Sequence, residues 1–394
     1  MTRWIAVLTL FAGGCTLALH SGKAPPALLA LRSDFGLSLT AAGALVSVYA
    51  ALIALGGVLL GSLVARFGYA RFAVGGIALA GAGSLLGAST DRFEVLMASR
   101  AIEGAGWIVA VIALPALIGT LSSERDRPLA LALWGAFVPV GAGSMLLVAP
   151  YLQAAGGWSL SWAVAGSVSL LAAAAVLWTC RRHAGRLAPL SGATGTPVWR
   201  DLRSAASIGI AASFFLYSFQ FLAVTSFLPT LLVEVDGLSL ERASSIAAVV
   251  ILANASGNLA AGRLLQRGLP TGRVLGVAAL LSSCAAAIAY QPAVPWPLRS
   301  VAALLFSMIG GVIPGTLFAS VSRAASVPAS AALIIGLMLQ GSGAGQLLGP
   351  LGLSWLVEAS GRWSSVGWLT LGSGLGGAVL ALWLGARLEV RSER

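Results

Sequence analysis

Four ionisable side chains fall inside long apolar stretches of this sequence, where charge is costly. His20 and Lys23 lie in the first apolar stretch, and Arg100 and Glu103 lie in the fourth. A charge in the hydrocarbon of a bilayer costs about 2.5–3.5 kcal/mol even on the mildest scale, so such residues generally face a protein interior or a water-filled cavity. Arg100 and Glu103 are three positions apart, so they share a helix face and can form an ion pair.

Two cations, a histidine and one acid suit an anionic substrate whose movement is coupled to protons. Lys23 would act as a compact positive charge, and Arg100 as a planar fork that grips a carboxylate. Glu103 would exchange partners or a proton, and an imidazole such as that of His20 changes protonation near neutral pH. Plainer interpretations stay open. Arg100 and Glu103 can form a purely structural pair, while Lys23 can extend to the membrane interface. His20 can be a neutral packing residue.

The elements that must position these residues are membrane-spanning helices. The chain has 394 residues, of which 58% are hydrophobic and 9% charged, whereas about a quarter of the residues of a soluble protein are charged. A helix needs about 20 apolar residues to cross a bilayer. We therefore expect an all-α membrane protein in a lipid bilayer, with twelve spans over residues 4–31, 39–65, 71–90, 94–121, 128–152, 159–180, 205–233, 240–265, 272–290, 298–321, 328–357 and 363–386.

The arginines between the predicted spans indicate how the chain is oriented. If both termini lie inside, the inner breaks hold seventeen arginines and the outer breaks hold five, a bias typical of cytoplasmic loops. This placement accounts for the net charge of +11 without a nucleic-acid partner. We expect a bacterial-type inner-membrane protein with cytoplasmic termini. The run from Arg3 to Leu19 is similar to a signal peptide, but the internal repeat requires it as the first span.

The sequence contains an internal repeat. Three patterns recur at offsets of 200 or 201 residues: Gly36-Leu37-Ser38-Leu39 with Gly237-Leu238-Ser239-Leu240, Gly61, Arg66 and Gly68 with Gly262, Arg267 and Gly268, and Gly141-x-Gly143 and Pro150 with Gly341-x-Gly343 and Pro350. Six spans return the chain to its starting side, so the two repeats are parallel. We therefore predict an N-terminal six-helix half over 1–180, a cytoplasmic linker over 181–204 and a C-terminal six-helix half over 205–394.

Two motifs resemble those of one transporter family. Leu96 to Gly106 is similar to the fourth-helix motif of the major facilitator superfamily, with an arginine, a polar residue and two closely spaced glycines. Residues 61–71 resemble its loop motif between helices two and three, although Ala65 stands where aspartate is usual and Ala70 where a basic residue is frequent. The resemblance implies twelve transmembrane helices in two parallel six-helix repeats, alternating access, and a central cavity lined by the first and fourth helices. It also implies a gating loop of Gly61, Arg66, Gly68 and Arg71.

The second half offers neutral polar residues and no interior charge. Its candidates for substrate binding are Tyr217, Gln220, Asn254 and Gln340. Each can hydrogen-bond a substrate, or can bridge helices as polar side chains commonly do in bundles. Separately, the run from Pro25-Pro26 through Asp34-Phe35-Gly36-Leu37-Ser38 resembles the cyanate and nitroimidazole transporter branch of the superfamily.

The predicted function is secondary active transport of a small solute by alternating access. The sequence has no phosphate loop, no paired histidines and no nucleophile elbow, so we expect no enzymatic activity, no cofactor and no metal. Proton-linked uptake of a small anion is the favoured version, by a monomer. One alternative is efflux of a drug or metabolite by proton antiport, and another is a non-transporting membrane receptor or assembly component.

Overall fold

The computed structural model describes residues 1–36, 39–187 and 196–392, and its regular elements there are all helices. The first seven helices are α1 (Trp4–Gly22), α2 (Ala24–Phe35), α3 (Leu39–Phe67), α4 (Tyr69–Ala88), α5 (Phe93–Leu121), α6 (Arg127–Gly135) and α7 (Phe137–Arg182). Two short helices follow, α8 (Ala184–Leu187) and α9 (Thr196–Leu202). The remaining helices are α10 (Ala205–Glu234), α11 (Leu240–Gln266), α12 (Thr271–Ala289), α13 (Trp296–Gly310), α14 (Val312–Ala324), α15 (Pro328–Ser360) and α16 (Val366–Ser392).

Eleven helical stretches of the described chain are long and apolar enough to cross a membrane. One of them, Arg127–Arg182, has 56 residues, whereas a single crossing needs about 20. It bends at Gly156 and Gly157, whose backbone is non-helical, with a φ of +69° at Gly157. This stretch therefore holds two spans, and the prediction of an all-α protein with twelve spans is confirmed.

Three of the predicted spans are broken into two helices, and a proline explains each break. The last residue of α1, α6 and α13 lies four positions before a proline, in the pairs Gly22 and Pro26, Gly135 and Pro139, and Gly310 and Pro314. Proline has no N–H, and its ring clashes with the carbonyl four positions earlier, which interrupts the helix at these three places. Four other prolines lie inside helices that stay continuous around them: Pro115, Pro150, Pro229 and Pro350. The first predicted span, 4–31, thus consists of α1 and α2, with Lys23 at their junction.

The helix packing agrees with the predicted repeat. In the first half α1 packs on α7, and α4 packs on both α5 and α7. In the second half α10 packs on α15, and α12 packs on both α13 and α16. The division into halves at 1–180 and 205–394 stays a prediction. Residues 188–195 of the predicted linker, and Leu37 and Ser38 of the first repeat, lie outside the described residues.

The two halves meet along two seams that contain glycine. In the seam between α3 and α15, a Cβ atom on Gly61 would lie 2.7 Å from the carbonyl oxygen of Ala332. In the seam between α6 and α11, a Cβ atom on Gly262 would lie 2.9 Å from the Cα atom of Leu129. Glycine permits this approach because it has no side chain. Both contacts lie near the ends of α3 and α11, on the side where α1 begins and most loop arginines lie, here called the arginine-rich side.

Candidate functional site

Lys23 is the centre of a buried polar network in the first half. Its ammonium group donates to Glu103 Oε1 at 2.6 Å and to Ser84 Oγ at 2.5 Å. His20 Nδ1 lies 3.1 Å from the same nitrogen, and the centre of the Trp162 ring lies 4.6 Å away, within the range of a cation–π contact. Lys23 has no exposed surface. Its side chain therefore points into the helix bundle and does not extend to the membrane interface.

Arg100 binds the other oxygen of the Glu103 carboxylate. Its Nη1 donates to Glu103 Oε2 at 2.5 Å and to the carbonyl oxygen of His20 at 2.8 Å, while its Nε donates to the carbonyl oxygen of Leu45 at 3.2 Å. The Tyr49 hydroxyl also donates to Glu103 Oε2, at 3.1 Å, and the Tyr49 ring lies 4.4 Å from the guanidinium carbon. The Glu103 carboxylate is fully buried and accepts from a lysine, an arginine and a tyrosine.

His20 links Lys23 to the sixth span. Because the Lys23 ammonium can only donate, Nδ1 of His20 accepts from it, and Nε2 then carries the proton in the neutral ring. Nε2 lies 2.9 Å from Ser169 Oγ in the second part of α7. Ser84 donates in turn to the carbonyl oxygen of Trp162 at 2.7 Å. His20 and Lys23 are therefore directed at α4 and α7, and the network is enclosed within the first half.

The network contains all four ionisable residues that the sequence singled out, and it contains further residues that sequence reasoning missed. The missed side chains are Tyr49, Ser84, Trp162 and Ser169. No spacing marks them, because tyrosine, serine and tryptophan are ordinary residues of membrane helices. Their partners are also remote in sequence, 54 positions away for Tyr49 and 149 for Ser169. Only the three-dimensional packing identifies them.

The polar candidates of the second half form local clusters. Asn254 donates to the Tyr217 hydroxyl at 3.0 Å and to the carbonyl oxygen of Ser307 at 2.9 Å. Gln220 and Ser283 exchange hydrogen bonds of 2.9 and 3.1 Å. Tyr217 and Gln220 also line a cavity of about 20 Å³, which is room for one water. In this structure these side chains bridge the helices α10, α11, α12 and α13.

Gln340 lies on the seam between the halves. Its amide nitrogen donates to the carbonyl oxygen of Ala54 in α3 at 3.1 Å. One turn further along α15, a Cβ atom on Gly343 would lie 2.9 Å from the carbonyl oxygen of Ala50. Ala50 directly follows Tyr49, so the seam adjoins the residue that covers the Glu103 carboxylate.

The second half also contains a buried charge, contrary to the sequence interpretation. Arg299, in the first turn of α13, has no exposed surface and forms an ion pair with Asp236 in the loop after α10. Its Nε and Nη1 atoms have no hydrogen-bond partner among the described residues. The prediction that the second half has no interior charge is therefore wrong, because the loop after α10 folds over the start of α13 and covers Arg299.

The comparisons with known proteins identify the family. The family model of the Major Facilitator Superfamily matches residues 9–343. This chain belongs to that superfamily. Its members are transporters rather than enzymes, so the protein is a membrane transporter with the major facilitator fold. The narrower similarity to the cyanate and nitroimidazole branch stays a prediction.

Individual relatives of this transporter are distant. The puromycin resistance protein pur8 of Streptomyces alboniger is 31% identical over 203 residues, which cover 51% of this chain and 38% of that protein. The chain therefore spans little more than a third of that relative. The human organic anion transporter MFSD10 has a TM-score of 0.72 at 18% identity, covering 98% of this chain and 100% of that one. The proton:xylose symporter XylE has a TM-score of 0.76 at 16% identity, with 95% and 94% covered. At such identities the two structures show the fold alone.

The two glycines of the loop motif lie in different places, one in the turn between α3 and α4 and one within α3. Gly68 is the single residue between α3 and α4, and its φ of +104° is one that L side chains rarely adopt. Gly61 lies inside α3 and faces α15. The prediction that Gly61 belongs to the gating loop is therefore wrong, because α3 stays helical to Phe67. Arg66 and Arg71 are exposed, and the Arg66 guanidinium lies 5.3 Å from the ring of Phe67.

On the arginine-rich side of the transporter, two carboxylates hold separate segments of the chain together by accepting hydrogen bonds. In the first half, Asp126 accepts from Thr2 at 2.7 Å and from Ser123 at 3.0 Å. These hydrogen bonds, with that from Thr2 the larger cause, lower the pKa of the Asp126 carboxyl. In the second half, the fully buried Asp201 accepts from the backbone N–H and the hydroxyl of Ser326 at 2.6 and 2.5 Å. Each half thus fastens the segment before its first span to the loop that follows its fourth span.

Proposed function

We propose that this transporter couples the uptake of a small anion to protons. The observation that carries the proposal is the position of the Glu103 carboxylate between Lys23 and Arg100, fully buried. Removing the acid from such a site leaves buried cations uncompensated, which is strongly unfavourable. Protonation of Glu103 therefore has to be accompanied by a new partner for the cations or by a change of structure.

An anion supplies that new partner. With Glu103 ionised, Lys23 and Arg100 leave one excess positive charge in the network. Protonation of Glu103 leaves both cations without their acid, and charge interactions are strong in an interior of low effective dielectric. An anion that replaces the carboxylate restores the balance, so a proton and an anion enter the first half together. Arg100 suits this role because a guanidinium binds a carboxylate or phosphate through two parallel hydrogen bonds.

Tyr49 connects the network to the seam between the halves. Its hydroxyl binds Glu103, and its side chain is 6% exposed. The next residue, Ala50, packs against Gly343 of the other half. We infer that movement at the α3–α15 seam shifts Tyr49 and uncovers the pair of Arg100 and Glu103 in one state of the alternating-access cycle.

The test measures uptake of small carboxylates and inorganic anions into proteoliposomes, with and without an imposed pH gradient. Glu103→Gln should retain substrate exchange but lose accumulation driven by the gradient. Glu94→Gln is the matched control, because Glu94 lies on the same helix, is exposed and pairs with the exposed Arg92 across 3.8 Å. Gradient-driven accumulation at the wild-type level in Glu103→Gln would rule out the coupling role and leave Arg100 and Glu103 as a structural pair.

Efflux by proton antiport is the second candidate. It is favoured by the similarity to a protein named for puromycin resistance, which covers about half of this chain. In antiport the network would bind a proton and a substrate in turn, so an inward proton gradient would empty preloaded vesicles instead of filling them. The direction of flux therefore separates the two candidates. If no substrate moves in either direction, the receptor or assembly role gains support.

We also propose that the arginine-rich side faces the cytoplasm of a bacterial-type inner membrane and that the protein is a monomer with two six-helix halves. The test uses Ser191, in the predicted linker and outside the described residues. Ser191→Cys, in a variant that lacks Cys15, Cys180 and Cys284, should resist an impermeant thiol reagent in intact cells. Ready labelling would reverse the orientation.

A further inference from the structure

The short helix α9 carries an aromatic and basic surface that the transport proposal does not use. Trp199 is 51% exposed, and Arg200 and Arg203 are exposed as well. With Ser204 they line a shallow, open concavity on the surface. Neither arginine forms an ion pair with an acid in the described part of the chain. The two guanidinium groups therefore present unneutralised positive charge at one place on the surface.

This surface is held in a fixed position by the opposite face of α9. Asp201 is fully buried, and its carboxylate accepts both hydrogen bonds from Ser326. Its backbone carbonyl oxygen accepts from the Ser207 hydroxyl at 2.6 Å. Asp201 is two positions from Trp199, so it lies on a different face of α9, where its carboxylate is turned towards the α14–α15 loop. Arg203 directly follows α9, and its backbone N–H donates to the carbonyl oxygen of Trp199 at 3.2 Å, so it lies one helical turn from Trp199, on the same side.

The surface also adjoins the start of a helix long and apolar enough to cross a membrane. The seventh span, α10, begins at Ala205, with Ser204 as its N-cap on the arginine-rich side. Tryptophan is enriched at the level of lipid headgroups, where its ring is partly apolar and its N–H meets water. Arginine binds phosphate through two parallel hydrogen bonds, and basic residues beside a span bind anionic lipids.

We propose that α9 and the start of α10 form a binding site for the headgroup of an anionic phospholipid in the leaflet on the arginine-rich side. Arg200 and Arg203 bind the phosphate, and Trp199 packs beside the glycerol and upper acyl region. The bound lipid then contacts the helix that Asp201 fastens to the loop between α14 and α15. This site lies apart from the buried network of the first half, so it stands independently of the substrate that the transporter moves.

The test titrates the purified full-length protein in detergent with phosphatidylglycerol or phosphatidylcholine and follows binding by native mass spectrometry and thermal unfolding. Phosphatidylglycerol should bind in preference to phosphatidylcholine. The double variant Arg200→Gln with Arg203→Gln should weaken its binding by about 10- to 30-fold. The matched control is Arg263→Gln with Arg267→Gln, because these two arginines are also exposed on the arginine-rich side, at the end of α11. That control should bind within about twofold of the wild type.

Several results would overturn the site. Equal weakening in both double variants would mean that binding depends on overall charge and has no defined site. Unchanged binding in the double variant with Arg200 and Arg203 replaced would exclude these residues. Inorganic phosphate that reproduces the thermal shift of phosphatidylglycerol would indicate a site for a free anion. Trp199→Ala keeps the charge and should weaken binding severalfold, and an unchanged affinity would contradict insertion at the headgroup level.

Discussion

Arg100 and Arg299 occupy corresponding positions in the two halves, 199 residues apart, which is also the separation of Pro115 and Pro314 in the same two spans. Arg100 donates to three acceptors contributed by different parts of the first half. Arg299 pairs with Asp236, and two of its nitrogens have no partner among the described residues.

The two halves therefore differ in the kind of polar contact that they bury. In the first half the arginine belongs to a network that includes a lysine, a histidine and a glutamate, deep within the bundle. In the second half the corresponding arginine lies at the end of its span and closes a loop over it. Deeper in that half, hydrogen bonds between amides and hydroxyls replace the charges, as between Gln220 and Ser283. We therefore expect charge-dependent function in the first half and mainly structural roles for the polar groups of the second.

The largest expected effect is on stability. Glu103→Ala leaves Lys23 and Arg100 buried without an acid and should lower the free energy of unfolding by about 3–5 kcal/mol. Asp236→Ala should cost about 1.5–3 kcal/mol, the value of a hydrogen bond to a charged group, because Asp236 is itself 10% exposed and its removal opens the Arg299 guanidinium, at the end of its span, to water. Denaturant unfolding in detergent measures both. Equal losses would mean that the two arginines lie in equivalent environments.

The next comparison replaces each arginine by lysine. Arg100→Lys cannot reach three acceptors at once, and loss of one charge-assisted hydrogen bond, about 1.5 kcal/mol, should reduce the transport rate about tenfold. Arg299→Lys can still pair with Asp236 and should transport within about twofold of the wild type. Initial rates in proteoliposomes give both values. A large loss in Arg299→Lys would show that the second half also holds charge needed for transport.

A smaller effect is expected from removing the hydroxyl of Tyr49 or that of Tyr217. Tyr49→Phe keeps the ring beside Arg100 but removes the hydrogen bond to Glu103, which is worth about 1.5 kcal/mol, the low end for a charged acceptor, because Lys23 and Arg100 still bind the carboxylate. It should slow gradient-driven uptake severalfold and leave exchange without a gradient nearly unchanged. Tyr217→Phe removes the hydroxyl that accepts from Asn254 and should leave the dependence on the gradient unaltered. If both variants lose gradient dependence equally, coupling is not confined to the first half.

The smallest effect is the pH dependence of the hydrogen bonds that Asp126 accepts from Thr2 and Ser123. Hydrogen bonds from Thr2 and Ser123 lower the pKa of Asp126 from its ordinary value of 3.8. The ionised carboxylate therefore contributes its stabilisation above that value, and the contribution is lost as the pH falls through the lowered pKa. At a pH below 3.8, the backbone amide hydrogens of residues 2–7 should exchange with solvent faster than they do above that pH. The comparison is made after correction for the intrinsic exchange rate at each pH. The turn at Gly68, whose N–H donates to the carbonyl oxygen of Val64 at 3.0 Å, serves as the reference for general unfolding, and Asp126→Asn should abolish the pH dependence at the N-terminus.

Much of the fold could be predicted from the sequence, because the bilayer imposes simple rules on it. Apolar run length predicts the spans, and the positions of Pro26, Pro139 and Pro314 explain where three of them break. His20, Lys23, Arg100 and Glu103 stood out for a physical reason, since charge in an apolar stretch requires a partner.

The rest of the site could not be predicted, because its residues are polar without being unusual in membrane helices. Tyr49 and Ser84 join the network through partners that lie on other spans. Arg299 was missed because an arginine at the end of a span cannot be told from a loop arginine without the loop that covers it. Gly61 was assigned to the gating loop because the motif places it near Gly68, whereas the helix continues past it.

The one-residue connection at Gly68 has a mechanical consequence. Because Gly68 is the single residue between them, we expect α3 and α4 to move together about a pivot at Gly68, on the arginine-rich side. Ser84 is fifteen residues along α4 from Tyr69, so it lies about 22 Å from this pivot at a rise of 1.5 Å per residue. A rocking of about 5° would displace Ser84 Oγ by about 2 Å, enough to break its 2.5 Å hydrogen bond with Lys23. A small displacement of α3 at the seam is thereby amplified into the making and breaking of a contact at Lys23.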